Sequence, residues 1–209
     1  VARGDELTVA HQRTTRLGDV VTAADLAAAG LGLAYGQVEL VDVVPAWVEL
    51  GSQLAIELST DLGALAVHVE HIGSTSAAGL VAKPILDVAI GVRVETDLTD
   101  IVERLAERDW IYRGDAGDEG GHVFVLESRP GLRVAHAHVV EHEGEQWSRY
   151  LALRQALRTS EDARRRYSDE KRRLLAELGG DNSAGAYTAG KSTVVIELLG
   201  SADPLDASR

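Results

Sequence analysis

Residues Ile85–Val92 read ILDVAIGV, a run in which every residue except Asp87 is apolar or glycine. A strand that alternates apolar and polar residues covers one face of a sheet. A nearly continuous apolar strand needs both faces covered, which places it inside a layered α/β arrangement. Asp87, between Leu86 and Val88, is the exception within that run. A carboxylate in such surroundings is costly unless it binds a cation or is well hydrogen-bonded. Capping a nearby backbone or pairing with an arginine are the other solutions open to it.

The flanking sequence supplies the rest of the order. Thr22 followed by Asp25 predicts a helix N-cap with an acidic first turn, with DLAAA helical and Gly30 or Gly32 ending it. Val38–Val44 is a short extended entry that stops at Pro45, and residues 46–62 carry apolar side chains at helical spacing up to Gly63. Leu65–Ile72 predicts a strand, 73–84 a turn-rich connection, and Thr99–Arg108 a helix. A short strand over Trp110–Tyr112 precedes the acidic loop GDAGDEGG. His122–Glu127 and Leu132–Val140 form a hairpin around Pro130-Gly131. Gln146–Arg158, Glu161–Leu178 and Gly185–Leu199 predict helices. The fold class is therefore α/β or α+β: one domain with a mixed sheet, flanking helices and a helical C-terminal third. Residues 1–37 read as an N-terminal extension with little core, 38–199 as the domain, and 200–209 as a tail.

Length and charge bound the function. The 209 residues suffice for one domain with a continuous core, and no run of eighteen apolar residues predicts a membrane span. The net charge of −12 argues against nucleic acid and anionic membranes as partners, because phosphate backbones need clustered Lys and Arg. It leaves room for a small phosphorylated ligand held by a few local charges. Absence of cysteine excludes disulfides, thiolate zinc sites and a cysteine nucleophile, and a cytoplasmic location is the default expectation. Lys83, Lys171 and Lys191 are the only lysines beside eighteen arginines, which marks each as a candidate for a specific role.

Three constellations can carry chemistry. Gly73-Ser74-Thr75 is either an ordinary turn or a place where backbone N–H groups and two hydroxyls receive phosphate oxygens. It is not a Walker loop, since the terminal GK[ST] is missing. His136 and His138, two apart in RVAHAHVV, face the same side of a strand and can bind metal, donate to phosphate or shuttle a proton. His11, His68, His122 and His142 have no such partner nearby in the sequence and are expected to be structural. In the C-terminal third, Arg154/Arg158, Tyr167/Lys171 and Tyr187/Lys191 are each four apart on one helical face.

With these residues in view, the chain resembles the GrpB family, which has a nucleotidyltransferase-like fold and also occurs fused to dephospho-coenzyme A kinase. HIGSTSAAGLVAKPILDVAI at 71–90 is similar to a hallmark of the form HIGST-S/A-x-PGL-x-AKPIIDI, and HAH at 136–138 to a later His-x-His strand. Trp147, LRQALR at 153–158, Tyr167/Lys171 and Tyr187/Lys191 match the helical motifs, and VELVDVVPAW the entry segment. Ala78, Gln155 and Val43 stand where Pro, Asp and Tyr are usual.

The resemblance implies nucleotidyl or phosphoryl transfer to a small acceptor. Gly73, Ser74 and Thr75 would hold phosphate, Lys83 would supply charge, and Lys171, Tyr187, Lys191 and Arg154 would approach the ligand. Asp87, His136 and His138 would bind a divalent metal or act as acid and base. Nucleotidyltransferases place a second carboxylate two residues after the first, and here that position is Ala89. Two magnesium ions are therefore not expected. One ion, Mg2+, Mn2+ or Zn2+, is the consistent version. The alternative is a ligand-binding or interaction module that keeps the pocket without turnover.

Overall fold

The structure, a computed structural model, describes residues 20–117, 121–177, 190 and 195–200. Its elements run α1 (Ala23–Ala28), β1 (Leu33–Ala34), β2 (Val41–Asp42), α2 (Pro45–Leu62), β3 (His68–Ile72), β4 (Val81–Ala82), β5 (Leu86–Val92) and α3 (Leu98–Ala106). They continue with β6 (Trp110–Asp115), β7 (His122–Arg129), β8 (Leu132–Glu141), α4 (Glu145–Thr159) and α5 (Glu161–Glu177). Residues 195–200 are also helical. Among the described residues, no helix is long and apolar enough to cross a membrane.

A mixed sheet in the order β3-β5-β8-β7-β6 forms the centre, with β1 paired to the start of β8, while β2 and β4 make a separate two-stranded ribbon. β5 and β8 are parallel, and the remaining pairs are antiparallel. The apolar run is this central strand. Leu86, Val88 and Ile90 enter the main core with Ala135, Ala137 and Val139 of β8, Leu54 and Leu58 of α2, and Ile101 and Leu105 of α3. On the opposite side Ala89 packs with Ile72, Val140 and Trp147 of α4, which covers part of that face. The mixed α/β class expected from the order of elements is the one observed.

Local chemistry explains the boundaries. Thr22 and Asp25 form a reciprocal capping box on α1. The indole Nε1 of Trp47 donates to Ala29 O at 2.8 Å, tying the end of α1 to α2. Pro45 occupies the first turn of α2, and Gly63 ends that helix at φ 53. The chain then makes a 3-10 turn over Gly63–Leu65, so β3 begins at His68 rather than at Leu65.

One expectation is corrected. Residues 20–34 are not an extension with little core: Val21, Leu26, Leu31 and Leu33 are each at most 3 % exposed and belong to the interior. The physical reason is pairing and packing. β1 joins β8 through Leu33↔Arg133 and Ala34↔Leu132, which lays α1 against the sheet.

Candidate functional site

Asp87, His136 and His138 meet because β5 and β8 run parallel in one register. Asp87 stands opposite His136, and Ala89 opposite His138, so all three polar side chains leave the sheet on the face away from the main core. Asp87 Oδ1 lies 3.4 Å from His136 Nδ1 and 3.7 Å from His138 Nε2. One ligating atom from each residue falls within 4.8 Å of the others. The two imidazoles stand edge to face, and the His138 ring rests near Tyr150 of α4. Burial acts to raise the Asp87 carboxyl. The hydrogen bonds and charge of the two imidazoles outweigh it and hold the group well below the usual carboxylate range.

The turn after β3 closes one side of this cluster. Gly73 has φ 69, and a Cβ there would lie 2.9 Å from Asp87 Oδ2, so glycine is needed both for the conformation and for the close approach. Ser74–Ser76 form a single 3-10 turn, in which the Ser76 hydroxyl donates to Gly73 O at 2.7 Å. Successive residues of such a turn point in different directions. Gly73 faces Asp87, whereas Thr75 is 1 % exposed and its hydroxyl is hydrogen-bonded to His71 Nε2 at 3.0 Å. The Thr75 side chain, expected among the phosphate-holding groups, is thus part of the interior. His71 is itself buried beside α2, and burial pushes its imidazole down to about 4, against the opposing pull of the Asp87 charge.

Lys171 reaches the same turn from behind. It is 2 % exposed, with its ammonium 4.4 Å from the centre of the Tyr167 ring. It donates to Ser74 Oγ at 2.8 Å and also to Val81 O. Its contact is with the serine that forms the turn, through the inner side. Lys83 lies half-buried in the connection between β4 and β5. Arg154 donates to Glu70 Oε2 at 2.5 Å and to His71 O at 3.2 Å, fastening α4 to β3. Tyr187 and Lys191, like His11, lie outside the described residues.

Two neighbours of the cluster were not singled out from the sequence. Glu70 stands opposite Ala89 in the β3–β5 register, so a second carboxylate does share the face with Asp87. It is engaged by Arg154 and is not part of the Asp87–His136–His138 cluster. Arg133, half-buried, donates to Leu33 O and Ala34 O, with its guanidinium 4.7 Å from the Tyr35 ring. Burial lowers its affinity for a proton, and the charges of Tyr35, Asp87 and Glu127 oppose that. The only sequence signal for Glu70 was the period-two pattern of β3; Arg133 had none. His68 and His142, expected to be structural and unpaired, stack on each other at 5.0 Å between ring centres. Their 74-residue separation hid that contact from any local spacing.

Comparison with known proteins adds the lineage. The chain is similar to the Glutamate-rich protein GrpB of Alkalihalophilus pseudofirmus, 29% identical over 172 residues, covering 81% of this chain and 98% of that protein. A UPF0157 protein of Streptomyces coelicolor is 34% identical over 162 residues, covering 78% and 82% of the two chains. Among solved structures, the crystal structure of conserved protein GrpB from Enterococcus faecalis superposes with a TM-score of 0.63 at 30% identity, covering 78% of this chain and 98% of that one. The model of the family described as GrpB protein matches residues 37–200, and the chain belongs to the GrpB family.

Proposed function

We propose that the Asp87–His136–His138 cluster holds one divalent ion, and that the Gly73-Ser74 turn beside it receives the phosphate of a nucleotide or another phosphorylated small molecule. The observation that carries this reading is the convergence of one carboxylate and two imidazoles within 4.8 Å, directly against a glycine turn. Donors around a tetrahedral ion with bonds of about 2.0–2.1 Å stand about 3.3 Å apart. The 3.4 and 3.7 Å separations here fit such an ion with small side-chain adjustments. Two nitrogen donors and one oxygen suit Zn2+ or Mn2+ better than Mg2+, which prefers an all-oxygen shell.

A bound ion would supply Lewis-acid stabilisation of charge on a phosphoryl oxygen. The chain's own residues do the positioning. Gly73 lets the backbone come close, Lys171 fixes the Ser74 hydroxyl by occupying a lone pair, and that leaves the Ser74 proton to be donated to a ligand oxygen. Nucleotidyl or phosphoryl transfer to a small acceptor is the reaction class this arrangement supports.

A second reading, a ligand-binding module without turnover, is favoured by one observation. Ala89 occupies the position of a second carboxylate, and Glu70, the nearest acid across the strand pair, is neutralised by Arg154.

Calorimetric titration with Zn2+, Mn2+ and Mg2+, followed by nucleoside triphosphates in the presence of the ion that binds, tests the proposal. One ion per chain is expected, with Asp87→Asn weakening it at least about 100-fold, since changes outside the ligand shell already cost 10–100-fold. Equal metal affinity in Asp87→Asn would refute the centre. Metal-dependent release of pyrophosphate, for nucleotidyl transfer, or of nucleoside diphosphate, for phosphoryl transfer, distinguishes the enzyme from the binding module.

A further inference from the structure

We propose that the groove between the first turn of α2, the 76–78 turn and the α4–α5 corner is a separate site for a small organic anion with an apolar body. The groove has a volume of about 520 Å3; Pro45 and Val48 give it an accessible apolar wall, with Ala77 and Leu157 closed to solvent behind, and Arg158 and Arg164 stand beside it. That size is ordinary for a small-molecule site. None of Asp87, His136 and His138 lines it.

The two arginines supply the specificity. Arg158 uses Nε to donate to Ser76 O at 3.0 Å, and Arg164 uses Nη1 to donate to Leu157 O and Arg158 O at 3.0 and 3.2 Å. These bonds fix both side chains at the groove. Among the described residues, the Nη groups of Arg158 and Nε and Nη2 of Arg164 have no hydrogen-bond acceptor, and neither guanidinium has a carboxylate in ion-pair range. By contrast, Arg154, Arg165, Arg166, Arg172 and Arg173 of the same two helices each pair with an acid. Burial, and then the neighbouring Arg154, disfavour the charge on Arg158 more than the charge of Glu70 favours it, and an incoming anion would oppose that net penalty. The one acidic residue in the lining, Glu49, is exposed and makes no ion pair with either arginine. In a chain of net charge −12, two anchored guanidiniums with no carboxylate in ion-pair range among the described residues, beside an apolar wall, match an anionic head on an apolar body.

The site touches the metal-and-phosphate reading at one point. Ser76, whose carbonyl holds Arg158, also donates to Gly73 O, so both sites share one three-residue turn. The groove nevertheless stands without that reading, and the test separates them.

Phenyl phosphate is titrated into the full chain in buffer containing a chelator, with binding read by calorimetry and by the shift of the thermal unfolding midpoint. Binding is expected in the wild type and in Asp87→Asn. It should weaken about tenfold or more in Arg158→Gln, which removes charge-assisted hydrogen bonds. Ala78→Phe, an exposed position on the groove wall, should block binding while leaving unfolding in the absence of ligand unchanged. Benzyl alcohol, the neutral probe, should bind much more weakly. The proposal is overturned if the wild type does not bind, if both groove variants bind as the wild type does, or if benzyl alcohol binds equally. It is also overturned if Asp87→Asn alone abolishes binding, which would place the phosphate at the Asp87 cluster.

Discussion

Lys171 donates to the Ser74 hydroxyl at 2.8 Å from a position almost closed to solvent, joining residues 97 apart in the chain. A lysine so placed holds its turn from the protein side. Lys171→Met keeps the length of the side chain and removes its donors, which leaves Val81 O and Ser74 Oγ without that partner. Loss of about 1–3 kcal/mol of stability is expected for the unsatisfied buried acceptor. Urea unfolding measures the loss, and phosphate-ligand affinity should fall with it. Unchanged stability would mean that the ammonium is not held as described.

Gly51 in the middle of α2 has no space for a side chain, because the His71 ring would lie 2.3–2.5 Å from its Cβ. Gly to Ala inside a helix normally stabilises by about 1 kcal/mol. Here the opposite sign is expected, with Gly51→Ala destabilising by about 1–3 kcal/mol from overpacking. In a double-mutant cycle the penalty should largely vanish on a His71→Ala background, and full additivity would contradict the contact.

Buried His71 gives stability a pH dependence with a definite sign. Its imidazole takes up a proton only near pH 4 in the folded chain, against a usual value near 6.5. The unfolded chain therefore binds the extra proton first as pH falls. Stability from this group is complete above pH 6.5, declines between 6.5 and 4, and levels off below that, a loss of about 3 kcal/mol in all. Asp87, held below the usual carboxylate range, contributes stability that is lost only at still lower pH, so the two windows separate. Denaturant unfolding from pH 7 to 4 should show the decline in the wild type and its absence in His71→Gln.

Leu26 of α1 is fully buried in the main core. If residues 20–34 are integral to the domain, Leu26→Ala should destabilise by about 2–5 kcal/mol, the range for buried leucines. Thr22→Ala should cost a further 1 kcal/mol or about that through loss of the cap. Thermal unfolding of both variants decides the matter. A change within experimental error in Leu26→Ala would return this segment to the status of an appendage.

The element types and the sharing of one strand face by His136 and His138 were legible in the linear order. ILDVAIGV announced a strand covered on both faces, and the period of two in RVAHAHVV put His136 and His138 on one side. The capping box at Thr22 and Asp25 was equally local. Each of these depends on neighbours within a few residues. The inward turn of Thr75, the burial of Lys171 and the arrival of Glu70 opposite Ala89 were not legible, because each depends on contacts or register between distant segments.

Local periodicity and capping thus specified the order of helices and strands and the mixed class, and marked Asp87, His136 and His138 one by one as candidates. Register and packing settled which of them face one another. The parallel pairing of β5 with β8 brought His136 to Asp87, and the antiparallel pairing of β3 added Glu70 beside Ala89. The docking of α5 carried Lys171 beneath Ser74, and the pairing of β1 drew residues 20–34 into the core. The reason is that backbone propensity acts over one or two turns, whereas burial and strand register are satisfied only when the whole domain closes.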